Sequence, residues 1–379
     1  MSAQDFLDSG TFVGRVWRED VQGPSIVAIR DGQVLDITST VVPTMRDLLE
    51  MGDPAAYVAQ SMGEPIADIS NLLSDGSDGR VHLLAPIDLQ AVKACGVTFA
   101  RSMVERVIEE RAAGNPELAS RIRGRIASVI GESLSDLKAG SAAAEEVKTA
   151  LIDEGVWSQY LEVGIGPDAE VFSKAQVLSS VGHCADVGLH PASKWNNPEP
   201  EVVLAVNSQG RIVGATLGND VNLRDIEGRS ALLLGKAKDN NASCAVGPLL
   251  RLFDETYDLD DVRSAELMLS VEGDDGFMLR GHSSMKEISR DPLDLVEQTI
   301  GAHHQYPDGL VLFMGTLFAP TEDRGEQGQG FTHHVGDVVS ISNTKLGTLR
   351  NRVKLSTQCA PWVFGASHLM RNLAERGLL

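Results

Sequence analysis

The chain is short of positive charge, poor in cysteine and without a long apolar run. Thirty-three Lys and Arg stand against 53 Asp and Glu, for a formal net charge of −20. That balance repels phosphate backbones and anionic lipid over most of the surface, so neither nucleic acid nor membrane is expected as a partner. No stretch approaches the roughly 18 apolar residues of a membrane helix; candidates such as Val202 to Val206 and Ala231 to Leu234 are strand-sized or shorter. The opening Met1-Ser2-Ala3-Gln4-Asp5-Phe6 lacks the basic start and apolar stretch of a secretory signal and is too acidic for a transit peptide, so a cytoplasmic protein is expected. Cys95, Cys184, Cys244 and Cys359 lie far apart with no Cys-x-x-Cys, which suggests neither a disulfide framework nor a zinc knuckle.

What remains is an ordinary globular composition, 42% hydrophobic and 23% charged over 379 residues, enough to fold by burial in two or three domains. The text from Thr11 to about Pro86 reads as a small N-terminal α+β unit. Phe12-Val13-Gly14-Arg15-Val16, Ser25 to Ile29 and Val34 to Ile37 are short strands with a turn at Asp31-Gly32, and Thr44 to Leu49 and Asp68 to Leu73 are short helices. A boundary is expected near residue 85, dividing a domain 1–85 from a domain 86–379. Between Ser102 and Gly155 the apolar spacing turns helical, with Val104, Val107 and Ile108 on one face and Leu118, Ile122, Ile126 and Val129 further on. This 102–155 stretch is expected as a helical insert. Strand-like stretches then return at Val202 to Val206, Arg211 to Leu217, Glu266 to Val271, Leu310 to Met314 and Val338 to Ile341, and Ala366, Leu369, Met370 and Leu373 mark an amphipathic closing helix.

Several motifs invite chemistry. Gly164-Ile165-Gly166-Pro167-Asp168-Ala169 imitates a dinucleotide-binding loop, but a proline follows the second glycine and a plain turn is expected. His303-His304 and His333-His334 are adjacent pairs whose side chains point to opposite faces of a strand, so local hydrogen bonding is expected in place of chelation. Pro198-Glu199-Pro200-Glu201 carries more. Alternation puts Glu199 and Glu201 on one face, and a hairpin through Asn207-Ser208-Gln209-Gly210 returns Asp220 beside them. Three carboxylates without Cys or His select a hard divalent cation, Mg²⁺, Mn²⁺ or Ca²⁺, over zinc. Lys238, in Lys236-Ala237-Lys238-Asp239, is a candidate base or charge clamp, and Gly315-Thr316 after Leu310 to Met314 is a candidate carboxylate-binding turn.

In order along the chain these are Glu199-x-Glu201, Asn219-Asp220-Val221-Asn222-Leu223-Arg224-Asp225, Lys238 ahead of Gly247-Pro248, Gly315-Thr316, Gly336-Asp337-Val338-Val339 and Leu346-Gly347-Thr348-Leu349-Arg350-Asn351. The set resembles the fumarylacetoacetate hydrolase superfamily over about residues 90 to 355. The resemblance implies an α+β protein whose C-terminal domain is a mainly β, mixed β-roll. It also implies Mg²⁺ or Mn²⁺ on Glu199, Glu201 and Asp220, substrate contacts at Lys238, Gly315 and Thr316, and a homodimer or higher homo-oligomer. The hydrolases' water-activating histidine has no counterpart in Gly96-Val97-Thr98-Phe99-Ala100-Arg101-Ser102. Instead Val97-Thr98-Phe99, Ser102, Arg106, Glu109, the insert, the stretch Gly166 to Lys174 and the run Asp225-Ile226-Glu227-Gly228 are similar to the sugar-acid dehydratase branch. That branch acts on 2-keto-3-deoxy-pentonates of xylonate or arabinonate type and forms 2,5-dioxopentanoate. Glu170 then falls where an acid/base carboxylate belongs, Ser102 and Arg106 where substrate is bound, and Arg106, Lys194 and Lys238 supply positive charge for an anionic 2-keto acid. The alternatives are an acylpyruvate-type carbon–carbon hydrolase on the same metal site, and a catalytically silent scaffold.

Overall fold

A computed structural model describes residues 6–7, 10–74, 79–99, 121–122, 124, 137–153, 155, 157–316, 318, 323–324 and 330–379. Ser102, Arg106 and Glu109, with most of the expected insert, lie outside them; the described part of the insert includes the helix Ala142–Asp153.

The strands are β1 (Phe12–Arg18), β2 (Gly23–Arg30), β3 (Gln33–Asp36), β4 (Glu64–Asp68), β5 (Val81–Leu84), β6 (Ala91–Gly96), β7 (Glu170–Ala175), β8 (Asp186–Leu189), β9 (Pro200–Val206), β10 (Ile212–Asp220), β11 (Cys244–Leu252), β12 (Glu266–Glu272), β13 (Met278–Ser284), β14 (Leu310–Phe313), β15 (Val338–Asn343) and β16 (Gly347–Leu355). They form two mixed sheets. The larger runs β4-β3-β2-β1-β11-β10-β9-β14-β6-β7 with β5 on β1, and the smaller runs β13-β12-β15-β16-β8. Most neighbours are antiparallel, but β14 and β6, and β16 and β8, are parallel. The large sheet crosses residue 85 without a break, because Phe12 and Val13 of β1 pair with Arg251 and Leu250 of β11.

β9 is a continuous apolar run because both of its faces are covered. Val202, Leu204 and Val206 pack with Leu267, Leu269 and Val271 of the smaller sheet, while Val203 joins Phe313 and Val246 on the far side and Ala205 meets the cluster of Met45 and Leu48. Each such burial contributes about 1.5–3 kcal/mol, so the β9–β10 hairpin is fixed in register from both sides. The short helices Met45–Leu49 and Ile69–Leu73 start at Thr44 and Asp68, whose side chains accept from backbone N–H groups of the first turn. The closing helix Ala366–Glu375 turns Leu369 and Leu373 inward.

Candidate active site

The β9–β10 hairpin builds the site. Asn207 and Arg211 close its turn, Gly210 takes the left-handed conformation at φ +78° that the turn requires, and Gly218 pairs with Glu201. Asp220, ending β10, donates its backbone N–H to the carbonyl of Glu199 at 3.1 Å. Glu199, Glu201 and Asp220 are all buried, and each offers an oxygen within 4.8 Å of the others'. Among the described residues they are the one group of His, Cys, Asp or Glu side chains able to hold a metal ion.

Two buried lysines answer this charge. Lys238 ends the helix Leu234–Lys238, and its Nζ donates to Oε2 of Glu199 at 2.6 Å and Oδ2 of Asp220 at 3.0 Å. Lys174 comes from β7; its Nζ pairs with Oδ1 of Asp220 at 2.7 Å and donates to the carbonyls of Lys238 (2.5 Å) and Val221 (3.2 Å). Burial by itself would raise the Asp220 carboxyl, but Lys174 and Lys238 outweigh it and hold Asp220 below its ordinary value. Burial would likewise strip a proton from Lys238, yet Asp220, Glu199 and Glu227 overcome it and keep the side chain an ammonium. Glu201 goes the other way: burial, then repulsion from Asp220 and Glu199, drives its carboxyl well above the usual range. A divalent cation relieves that repulsion, and an oxygen-only set of three suits a hard ion such as Mg²⁺ or Mn²⁺.

The same pocket is lined by Glu170, Phe172, Glu227, Cys95, Gly96, Val97, Gly315 and Thr316. Glu170 on β7 lies opposite Gly96 on β6, and a Cβ on Gly96 would come within 1.9 Å of Glu170 Oε2, so the glycine makes room for the carboxylate. Phe172 faces Lys238, whose Nζ is 5.6 Å from the ring centre. Gly315, at φ +88°, donates its backbone N–H to Oε2 of Glu201 at 2.6 Å. The Cys95 thiol is buried and pushed far up, which makes it a poor nucleophile.

Of the residues singled out in the sequence, Glu170, Glu199, Glu201, Asp220, Lys238, Gly315 and Thr316 thus meet in one pocket, while Ser102 and Arg106 fall outside the described residues. Lys194 is not among the lining residues; its backbone N–H donates to Asp225. Lys174, Asn222 and Glu227 had no role assigned from the sequence. A lysine in a strand, two residues after Phe172 and just before Ala175, is the one local signal, since a buried lysine needs an anionic partner. The decoys are structural. Gly166 ends the helix Gln159–Ile165, and His333 Nδ1 lies 3.0 Å from Asp337, itself bound to Arg324.

Residues 171–354 match the family described as fumarylacetoacetate (FAA) hydrolase C-terminal. Over that segment the chain carries the sequence pattern of the fumarylacetoacetate hydrolase superfamily. Along most of its length the chain is similar to a probable 2-keto-3-deoxyxylonate dehydratase of Haloferax volcanii, 26% identical over 330 residues that cover 86% of this chain and 94% of that protein. It also resembles a 2-dehydro-3-deoxy-D-arabinonate dehydratase of Saccharolobus solfataricus, 29% identical over 185 residues, 49% of this chain and 58% of that protein. Its fold is shared with a 2-keto-3-deoxy-D-arabinonate dehydratase complexed with magnesium and 2,5-dioxopentanoate (TM-score 0.64, 20% identity, 91% of this chain and 99% of that one). A fumarylacetoacetate hydrolase from psychrophilic Exiguobacterium antarcticum superposes less well, with a TM-score of 0.55 at 16% identity over 91% of this chain and 100% of the hydrolase. The mixed β-roll of the superfamily is therefore the fold of this chain.

Proposed function

We propose that the protein is a metal-dependent dehydratase that converts a 2-keto-3-deoxy-pentonate of xylonate or arabinonate type to 2,5-dioxopentanoate. The observation that carries the reading is the meeting of Lys238 and Glu170 with three buried carboxylates in a pocket that, among the described residues, no histidine lines. Removal of water from such a substrate needs a base at C3 and an acid at the C4 hydroxyl. Hydrolysis of a carbon–carbon bond needs instead a base that activates water. The likeness to two sugar-acid dehydratases in sequence supports the same choice.

Glu199, Glu201 and Asp220 would hold Mg²⁺ or Mn²⁺. When bound, the cation supplies Lewis acidity to the 2-keto group and so acidifies C3. Glu170 takes a C3 proton. Lys238, kept as an ammonium by Asp220, Glu199 and Glu227, offers a proton to the departing C4 hydroxyl and positive charge to the substrate carboxylate. Proton transfer from C5 to C3 then gives the C4=C5 enol, whose hydroxyl proton moves to C4 to leave the aldehyde, for a net loss of one water. Gly315 and Thr316 close the pocket at the end of β14, and Ser102 and Arg106 complete substrate binding.

The protein is further proposed to act in the cytoplasm, a setting that its four free cysteines suit, as a homodimer or higher homo-oligomer. No helix among the described residues is long and apolar enough to cross a membrane. The test is incubation of the purified protein and Mg²⁺ with each 2-keto-3-deoxy-pentonate stereoisomer and with an acylpyruvate, products being identified by mass spectrometry. Loss of one water from a pentonate is expected. Cleavage of the acylpyruvate alone would turn the reading to a hydrolase, and no reaction with any of them would turn it to a scaffold.

A further inference from the structure

Strand β6 ends at Gly96, and the chain turns at once: Val97 takes the left-handed conformation, at φ +54°. The turn is held on both sides. Gly96 pairs with Glu170 of β7, the Thr98 hydroxyl donates to the carbonyl of Met314 at 2.6 Å, and the Thr98 carbonyl accepts from the backbone N–H and the hydroxyl of Ser289 at 2.7 and 2.9 Å. This backbone conformation suits glycine or asparagine, and a branched Cβ makes it costly. Gln22, Asp31, Leu178, Cys184 and Ala242 are the other described non-glycine residues that adopt a positive φ. Among them all, Val97 alone is β-branched, and Val97 alone lines the pocket of Glu170 and Lys238. A branched apolar group thus stands at the site where the backbone by itself favours none.

The pocket has a floor and a rim. Cys95, Glu199, Glu201, Asp220 and Lys238 are buried, whereas Gly96, Val97, Glu170, Phe172 and Thr316 are half-buried. We propose that Val97 is a specificity-determining residue, whose side chain closes the rim against the tail of the substrate and sets the length accepted, five carbons over six. This rests on the dehydratase reading above. The charged keto-acid end of a 2-keto-3-deoxy acid belongs with the floor, where the carboxylates and Lys238 lie, so C4 and C5 point to the rim. Glu170, opposite Gly96 in the strand pair, must reach C3, and that fixes how deep the substrate sits. A sixth carbon then meets the isopropyl group of Val97, which fills the space and offers its hydroxyl no hydrogen bond.

The test uses the full-length protein with Mg²⁺ as wild type, Val97→Gly and Val97→Thr. It compares kcat/KM for a 2-keto-3-deoxy-pentonate and a 2-keto-3-deoxy-hexonate. In parallel, calorimetry compares the affinities of two acids with no hydroxyl to lose, 2-oxopentanoate and 2-oxohexanoate. The wild type is expected to favour the five-carbon member of each pair. Val97→Gly, in which glycine takes the same backbone conformation freely, is expected to lower both five-to-six ratios by about tenfold or more. Val97→Thr keeps the branch and is expected to retain them. A purely structural role would change both members of a pair by one factor and leave the ratios of Val97→Gly unaltered, which overturns the proposal. A wild type that binds the 2-oxo acids and turns over neither sugar acid defeats the dehydratase reading, and the affinity ratio in Val97→Gly then still decides for or against Val97.

Discussion

The Nζ of Lys238 lies 2.6 Å from Oε2 of Glu199, and both residues are at least nine-tenths hidden from solvent. A buried pair of this kind is costly to break on one side, because the remaining charge is left without compensation. Lys238→Met should therefore destabilise the metal-free protein by about 3 kcal/mol or more and abolish turnover, while leaving the three carboxylates able to bind a cation. A thermal melt with and without Mg²⁺ checks this. The variant's midpoint should fall in EDTA and recover with Mg²⁺ by more than the wild type's does. An unchanged midpoint in EDTA would mean that Lys238 is not the counter-charge of the site.

Glu201 gives the opposite signature in pH. Its folded-state pKa is raised from the ordinary 4.5 by burial and by Asp220 and Glu199, so the folded metal-free protein keeps a proton that the unfolded chain has given up. The stability this contributes is fully present below about pH 4.5 and is lost as pH rises through the raised folded value. In EDTA, Glu201→Gln should thus flatten the fall of the melting temperature above that pH and melt higher than the wild type near pH 8. It should also lose turnover and most of the Mg²⁺-induced rise. Parallel curves for the two proteins would contradict the environment assigned to Glu201.

Gly96 is where a small change should act on chemistry with little effect on folding. A methyl group there would sit 1.9 Å from Glu170 Oε2, the far end of a half-buried side chain at the start of a strand. Gly96→Ala should lower kcat by about a hundredfold, approach the loss in Glu170→Gln, and change Mg²⁺ affinity little. Full activity in Gly96→Ala would remove Glu170 from the acid/base role.

The carboxylate cluster was legible in the sequence because its signals are local. Strand alternation aligns Glu199 with Glu201, and a hairpin with an evident turn returns Asp220 to them. The hairpin strands, the N-terminal helices and the closing helix were legible for the same reason, each announced by a cap or a periodicity. The residues behind the carboxylates were not. Lys174 reaches Asp220 through a strand on the far side of the insert, Asn222 turns back to Glu199 only after β10 has ended, and Glu227 reaches the pocket from the following helical turn. Their roles depend on pairings between distant strands, which no local pattern records. The joining of the N-terminal strands to β11 belongs with these, since nothing near residue 12 points to residue 251.

The most direct test of the dehydratase reading is ¹³C NMR of the reaction with Mg²⁺ and a 2-keto-3-deoxy-pentonate labelled at C5. The hydroxymethyl carbon should disappear and an aldehyde carbon, with its hydrate, should replace it at a rate that falls when EDTA is added and is absent in Glu170→Gln. Persistence of the hydroxymethyl signal for both C4 epimers, in protein shown to bind Mg²⁺, would contradict it.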